Sequence, residues 1–456
     1  MATARRYSAQ RRLRLLLALL GACTGAAWGA VAVCLALDPA VVTAVGAHGG
    51  ASADAVVRAA VLLAAIPVGA FVGAGALDAV SHGWGRRPAI LASSLLVALG
   101  AVLASVSGSV VRDLAVLVIG VGVGGSGIVV PKLAHELAER GHRRLTPRVR
   151  ALAPSGAAAA VCLGLASDRS DLASGATVAW MVVVALALCA ALVELGLPET
   201  PHWYAARNRL GAARDSLRRM NGPSATSEAL DREMESVVLD AGMQGEQHPI
   251  SVEDLRVPSI RQTVLAGFLL EVVQCLPLGL ASLALAPVLI AGALADGGTS
   301  TGLSAPVALA CLAWVLLGAL ALRRRGDRLM YAWILVGTGL SACGTLLLFL
   351  LPEFGSRAGA VIIAVVAVID VLAQYVCVVP ACTGGIDPHV PPWLLRSQRR
   401  GSAVVRPLVE LVEVVGPLLL ALLAPVRTGV AVVLVLQVVT LIAALVALPR
   451  AVAALR

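Results

Sequence analysis

Among the acidic side chains in stretches otherwise too apolar to hold them are Glu271, Asp370, Glu410 and Glu413. A charge at mid-bilayer costs at least about 2.5–3.5 kcal/mol on insertion scales, so each one needs an account. Two of them share a helical face with an amide. Gln274 follows Glu271 at i+3, and Gln374 follows Asp370 at i+4. A buried acid can load and release a proton, and an amide beside it can hydrogen-bond a polar solute. Glu271 and Asp370 are therefore the leading proton-coupling candidates, with Gln274 and Gln374 as solute contacts. Trp28 offers an aromatic plane on which a ring can stack. Each has a plainer reading. An acid can be neutral or paired and only join helices, and a tryptophan can simply pack. For Glu410 and Glu413 the plain reading is stronger, because Arg406 stands one turn before Glu410. Trp180, Trp314 and Trp333 read as packing or interface residues. Lys132 is expected to snorkel.

The elements that carry these residues follow from composition. Of 456 residues, 59% are hydrophobic and 14% charged, against about 25% charged in soluble domains. That excludes a soluble enzyme, a nucleic-acid-binding domain and a disordered chain. A membrane span needs about 20 apolar residues. Twelve runs qualify, near 14–37, 56–80, 88–109, 113–134, 149–167, 174–197, 263–294, 304–322, 329–351, 357–380, 403–425 and 428–449. The arginine-flanked first run is too long for a signal-peptide core and reads as span 1. The longest polar interval, 198–262, separates six spans (1–197) from six spans (263–456) and is expected to form short surface helices. With the N-terminus inside, 31 of the 36 basic residues fall on the cytoplasmic side, as the positive-inside rule requires. The fold class is an all-α membrane protein of twelve transmembrane helices in two halves. Both termini are cytoplasmic, and the location is the inner membrane.

The nine cysteines lie mostly in apolar runs and form no CxxC pair. They read as small buried hydrophobes. No metal cluster, nucleophile–base pair or P-loop is present. The segment 120–127 is glycine-rich, but it lies within a span and lacks the Lys-Ser/Thr ending.

Four stretches carry a resemblance. Pro198-Glu199-Thr200-Pro201-His202-Trp203 ends span 6. Gly120, Gly122 and Gly124, with Pro131 and Glu136 beyond, lie along span 4. Gly85-Arg86-Arg87 fills the loop between spans 2 and 3. Gly267, Gln274, Ala286 and Pro287 lie along span 7. In this order the chain resembles the major facilitator superfamily, and within it the sugar porters. The resemblance implies a transporter that moves a small organic solute by alternating access, with no cofactor. It implies that Gly85, Arg86, Arg87, Glu136, Arg143 and Glu199 form a cytoplasmic gate, pairing across the two halves. Its partners are lipids, the solute and, in the coupled reading, protons.

Several family positions are replaced. Ala27 stands where proton-coupled members have Asp, Val116 for a span-4 Arg, Ala151 for a span-5 Gln, Cys275 for a second span-7 Gln and Leu280 for an Asn. These losses motivate two other readings. One is an exporter of an apolar metabolite or drug on the same fold. The other is a transport-inactive subunit of a membrane complex.

Overall fold

The computed structural model describes residues 2–46, 53–106, 109–137, 152–169, 174–221, 226–245, 253, 256–295, 304–323, 330–350, 356–385, 405–417 and 426–453. Every regular element among them is helical. Span 1 is Ala2–Ala36, followed by a short helix, Pro39–Gly46. Spans 2 to 6 are Ala53–Gly83, Arg86–Val106, Ser109–Leu137, Ala153–Arg169 and Gly175–Leu195. Three short helices fill the central interval: Pro201–Ala205, Leu210–Asn221 and Ser227–Gly245. Span 7 comes in two pieces, 7a (Pro258–Cys275) and 7b (Gly279–Ala295). Spans 8 and 9 are Ser304–Arg323 and Met330–Phe349. Span 10 runs Arg357–Val371, widens into a π turn at Leu372–Val378, and closes with Val379–Gly385. Span 11 is helical over 405–417, and span 12 is Val426–Ala453.

Small residues decide how closely these helices approach. Gly120 and Gly124 face span 2, where a Cβ on either would run into the backbone at Ile66 and Ala70. Gly122 faces span 3, 2.5 Å from the Ser93 carbonyl for a hypothetical Cβ. Alternate glycines thus let span 4 wedge between two neighbours. Close backbone approach of this kind replaces the hydrophobic drive that lipid does not supply.

The core is divided by level. At the end holding the first basic residues of span 1, a hydrophobic cluster draws mainly on spans 1, 3, 4 and 6, with Leu16, Ile90, Val129 and Ala190, and takes in Val80 of span 2, Leu197 and Met220. At the opposite end a larger cluster joins residues of spans 1–6, such as Trp28, Leu63 and Trp180, to Leu283, Trp314 and Val371 of spans 7–12. Span 7b packs on span 1 and on the 39–46 helix, and span 8 on span 5. Span 7a packs mainly on spans 10 and 12. The two sets of six helices therefore meet at the end away from the arginines.

Candidate functional site

Span 7 reads in sequence as one run, 263–294. The structure breaks it at Leu276–Leu278. Pro277 has no N–H to continue a helix. Leu278 adopts φ +52, a left-handed conformation that costs a non-glycine residue about 1–2 kcal/mol. The break frees polar backbone groups, and in hydrocarbon each must find a partner.

Four other spans supply those partners. Gln374 of span 10 donates from Nε2 to the Gln274 carbonyl at 3.1 Å. Gln437 of span 12 donates to the Leu276 carbonyl at 3.2 Å. Ser341 of span 9 lies 3.0 Å from the Pro277 carbonyl. Glu413 of span 11 accepts the N–H groups of Leu280 and Ala281, at 3.0 and 3.4 Å. A carboxylate at the N-terminus of 7b both caps it and complements its dipole.

Asp370 is buried against this break, 4% exposed, as is Glu413. Its Oδ2 accepts from Ser282 in the first turn of 7b at 2.9 Å, and Ser341 Oγ lies 2.8 Å from its Oδ1. Gln274 and Gln374 are each 6% exposed, so neither faces lipid. The π turn carries Gln374 inward and packs it on Gly279, where a Cβ would lie 2.7 Å from the Gln374 Cβ. Asp370, Gln274, Gln374 and Glu413 thus gather around one discontinuity.

The remaining candidates sit differently. Glu271 is half-buried on 7a, one turn before Cys275. Glu410 takes the Arg406 guanidinium at 2.5 Å. Trp28 is 1% exposed and packs within the large hydrophobic cluster, as do Trp180 and Trp314. Lys132 does not snorkel. It is buried, and its ammonium meets Asp78 of span 2, which also has His82 Nε2 at 3.6 Å.

The expected gate residues form a second cluster, at the arginine-rich end. Glu199 accepts the N–H groups of Arg86 at 3.1 Å and Arg87 at 3.0 Å, and so caps span 3. Gly85 has φ +123, and a Cβ there would lie 2.9 Å from the Glu199 carboxyl carbon. Arg86 donates to Glu136 at 3.1 Å and to the Ser81 carbonyl at 2.9 Å. Arg87 donates to the Leu195 carbonyl at 2.8 Å. Arg207 reaches the carbonyls of His82 and Gly83 and lies over Trp203, 4.2 Å from its ring centre. Burial raises the Glu199 carboxyl above its ordinary range, against three backbone hydrogen bonds. Burial also pushes on Glu136, which lies beyond the apolar segment Val110–Ala134. There Arg86, His202 and hydrogen bonds prevail and hold it below the ordinary range.

The resemblance implied pairs across the two halves. Among the described residues, the hydrogen bonds and ion pairs of Arg86, Arg87, Glu136 and Glu199 named above all stay within spans 2–6 and the central interval. The physical reason is the level at which the halves touch, which is the opposite end. Arg143 lies outside the described residues.

Sequence reasoning missed Ser282, Ser341 and Gln437, and did not anticipate the capping role of Glu413. A signal was present. Pro277 with Gly279 two residues later is a helix-breaking pair inside an apolar run.

Comparisons with known proteins agree on one family. A family model described as "Sugar (and other) transporter" matches residues 14–398. The arabinose-proton symporter of Bacillus subtilis (strain 168) is 26% identical over 221 residues, 46% of this chain and 45% of that protein. Myo-inositol transporter 1 of Saccharomyces cerevisiae is 27% identical over 226 residues, 47% of this chain and 38% of that one. The match thus spans less than half the length of these relatives. Among solved structures, the proton:xylose symporter XylE bound to 6-bromo-6-deoxy-D-glucose superposes with TM-score 0.71 at 14% identity, covering 96% of both chains. A partially occluded inward-open form of XylE from E. coli gives 0.69 at 14% identity, covering 96% of this chain and 97% of that one. These structures show the fold, that of the major facilitator superfamily.

Proposed function

The chain belongs to the sugar (and other) transporter family, and on that premise we propose that it carries a small hydroxylated solute across the cell membrane by alternating access, coupled to a proton at Asp370. The observation that carries this reading is the break in span 7, with a buried carboxyl and two amides gathered around it. Broken helices near the bilayer midplane form solute and ion sites in secondary transporters. A polyol needs paired donors and acceptors, which the amides of Gln274 and Gln374 can supply. Asp370 does the work assigned elsewhere in the family to the residue at the Ala27 position. Glu271 is a second proton acceptor nearer the mouth. Glu413 serves the backbone and Glu410 serves Arg406, so neither is the coupling group. Trp28 packs and does not stack on the solute.

The end with Arg12, Arg86 and Arg87 is taken as cytoplasmic, because the sequence assigns 31 of the 36 basic residues to that side of the membrane. Both termini then lie inside, in the inner membrane. The halves touching at the other end make this an inward-facing form, and the Arg86–Glu136–Glu199 cluster is a gate with its cross-half contacts released. A solute enters from one side, the proton on Asp370 biases the change of state, and both leave on the other.

The test is uptake into proteoliposomes of labelled D-xylose, L-arabinose and myo-inositol, with and without an inward proton gradient. Gradient-driven accumulation of one of them, abolished in Asp370→Asn, supports the reading. Uptake indifferent both to the gradient and to Asp370→Asn removes the coupling role. Transport of none of the three, with efflux of apolar compounds instead, moves the chain to the exporter reading.

A further inference from the structure

We infer that Ser341 is a one-proton switch through which the protonation of Asp370 controls the break in span 7. The inference rests on the proposed coupling role of Asp370 and gives it a mechanism. Ser341 Oγ lies 2.8 Å from Asp370 Oδ1, 3.0 Å from the Pro277 carbonyl and 3.1 Å from Gln437 Nε2. A hydroxyl has one proton to give and two lone pairs to accept with. Gln437 donates into one lone pair. With Asp370 ionised, the single hydroxyl proton faces two acceptors, the carboxylate and the Pro277 carbonyl. Charge-assisted hydrogen bonds are the stronger kind, so the carboxylate takes it and Pro277 loses its donor. With Asp370 protonated, the acid donates into the second lone pair of Ser341. The hydroxyl proton then turns to Pro277. Only the protonated state satisfies every contact. Ser282 donates to the other carboxyl oxygen in both states.

The Pro277 carbonyl matters because of where it lies. In a continuous helix the carbonyls of Leu276 and Pro277 accept from the N–H groups of Leu280 and Ala281. Here those N–H groups go to Glu413, and the two carbonyls go to Gln437 and Ser341. The left-handed Leu278 stands between them. The break is one of two alternative pairings of the same four backbone groups. A proton on Asp370 supports the broken one. Its loss strips Pro277 of a donor and favours closing the helix, which moves 7b against span 1 and the 39–46 helix.

Other titratable groups stand on the surrounding elements. They are Arg261, Glu271 and Cys275 on 7a, Arg406, Glu410 and Glu413 on span 11, Tyr331 and Cys343 on span 9, and Arg357, Tyr375, Cys377 and Cys382 on span 10. Span 7b has none, and span 12 has arginines only, Arg427 and Arg450. The partners of Asp370 are the two serines.

The test is hydrogen–deuterium exchange of the purified protein across residues 274–284, between pH 5 and 8 on scales corrected for intrinsic exchange. In the wild type, protection of this segment shifts with pH. In Ser341→Ala it loses that dependence. Ser341→Thr, which keeps the hydroxyl, restores it. Asp370→Asn, whose amide donates as the protonated acid does, holds the low-pH pattern throughout. In the proteoliposome assay, Ser341→Ala lowers gradient-driven accumulation of the transported probe about tenfold, within the usual range of coupling effects. A wild-type segment indifferent to pH, or a Ser341→Ala protein with wild-type dependence, overturns the inference even where transport is proton-coupled. Absence of transport of all three probes strikes the solute assignment instead, and exchange alone then decides the switch.

Discussion

Glu413 accepts the backbone N–H of Leu280 at 3.0 Å across 133 positions of sequence. A charged side chain from span 11 does the work that a local Ser or Asp does at most helix starts. Its placement explains an acid that is 4% exposed inside the bilayer.

Removing that group leaves the first turn of 7b without an acceptor. Glu413→Ala is expected to lower stability by about 1–2 kcal/mol, the size of a lost cap with its dipole contribution. Glu413→Gln keeps an acceptor oxygen and should lose less. Thermal unfolding midpoints of the detergent-purified proteins in the order wild type, Gln, Ala check this. Equal midpoints for Gln and Ala would mean the oxygen contributes nothing.

Gly85 combines φ +123 with the Glu199 carboxyl pressed against it. Gly85→Ala meets both obstacles and is expected to cost about 1–3 kcal/mol from the backbone strain alone. Adding Glu199→Ala relieves the contact but not the dihedral, so the double variant should recover only part of the loss. Midpoints measured for the single and double variants read the two contributions separately.

The gate cluster predicts opposite pH effects from two carboxyls. Glu136 is held below its ordinary value near 4.5. Its contribution is full above that value and is lost as pH falls through the lowered one. Glu199 is raised from the same value. Its contribution is full below 4.5 and is lost as pH rises through the raised one. Glu136→Gln should flatten the acid limb of a midpoint-against-pH curve, and Glu199→Gln the limb above it. Glu136→Ala leaves Arg86 buried and uncompensated, at about 3–5 kcal/mol.

Cys162 of span 5 and Cys311 of span 8 stand on helices that pack against each other across the two halves. Peroxide treatment should join them as a disulfide, the two thiols giving up two protons and two electrons as the peroxide becomes two waters. Cleavage in the 198–262 interval then leaves the halves linked on a non-reducing gel, and a thiol reductant parts them. Cys162→Ser should abolish the link. If the oxidised protein still runs as two fragments, the halves do not meet here.

Much of the fold was legible beforehand. The apolar runs, the basic loops and the segments at 85–87, 120–136 and 198–203 pointed to twelve spans and to the family. Asp370, Gln274 and Gln374 were marked as polar groups out of place, and they do gather at one point. Lys132 was misjudged, because it finds its partner, Asp78, on a neighbouring helix. The contacts that Arg86, Arg87, Glu136 and Glu199 make here were not legible either, because they depend on which segments become neighbours. Ser341 and Gln437 passed unnoticed among many polar residues tolerated in apolar stretches.

The amino-acid sequence by itself determined that this is a polytopic membrane protein of the sugar transporter family. A bilayer reads hydropathy and charge stretch by stretch, and those are local properties. Only the tertiary structure decided that span 7 breaks, and that its freed carbonyls go to Ser341, 64 positions away, and Gln437, 161 positions away. A broken helix in hydrocarbon survives only if packing brings donors and acceptors to its exposed backbone, and that depends on which spans become neighbours.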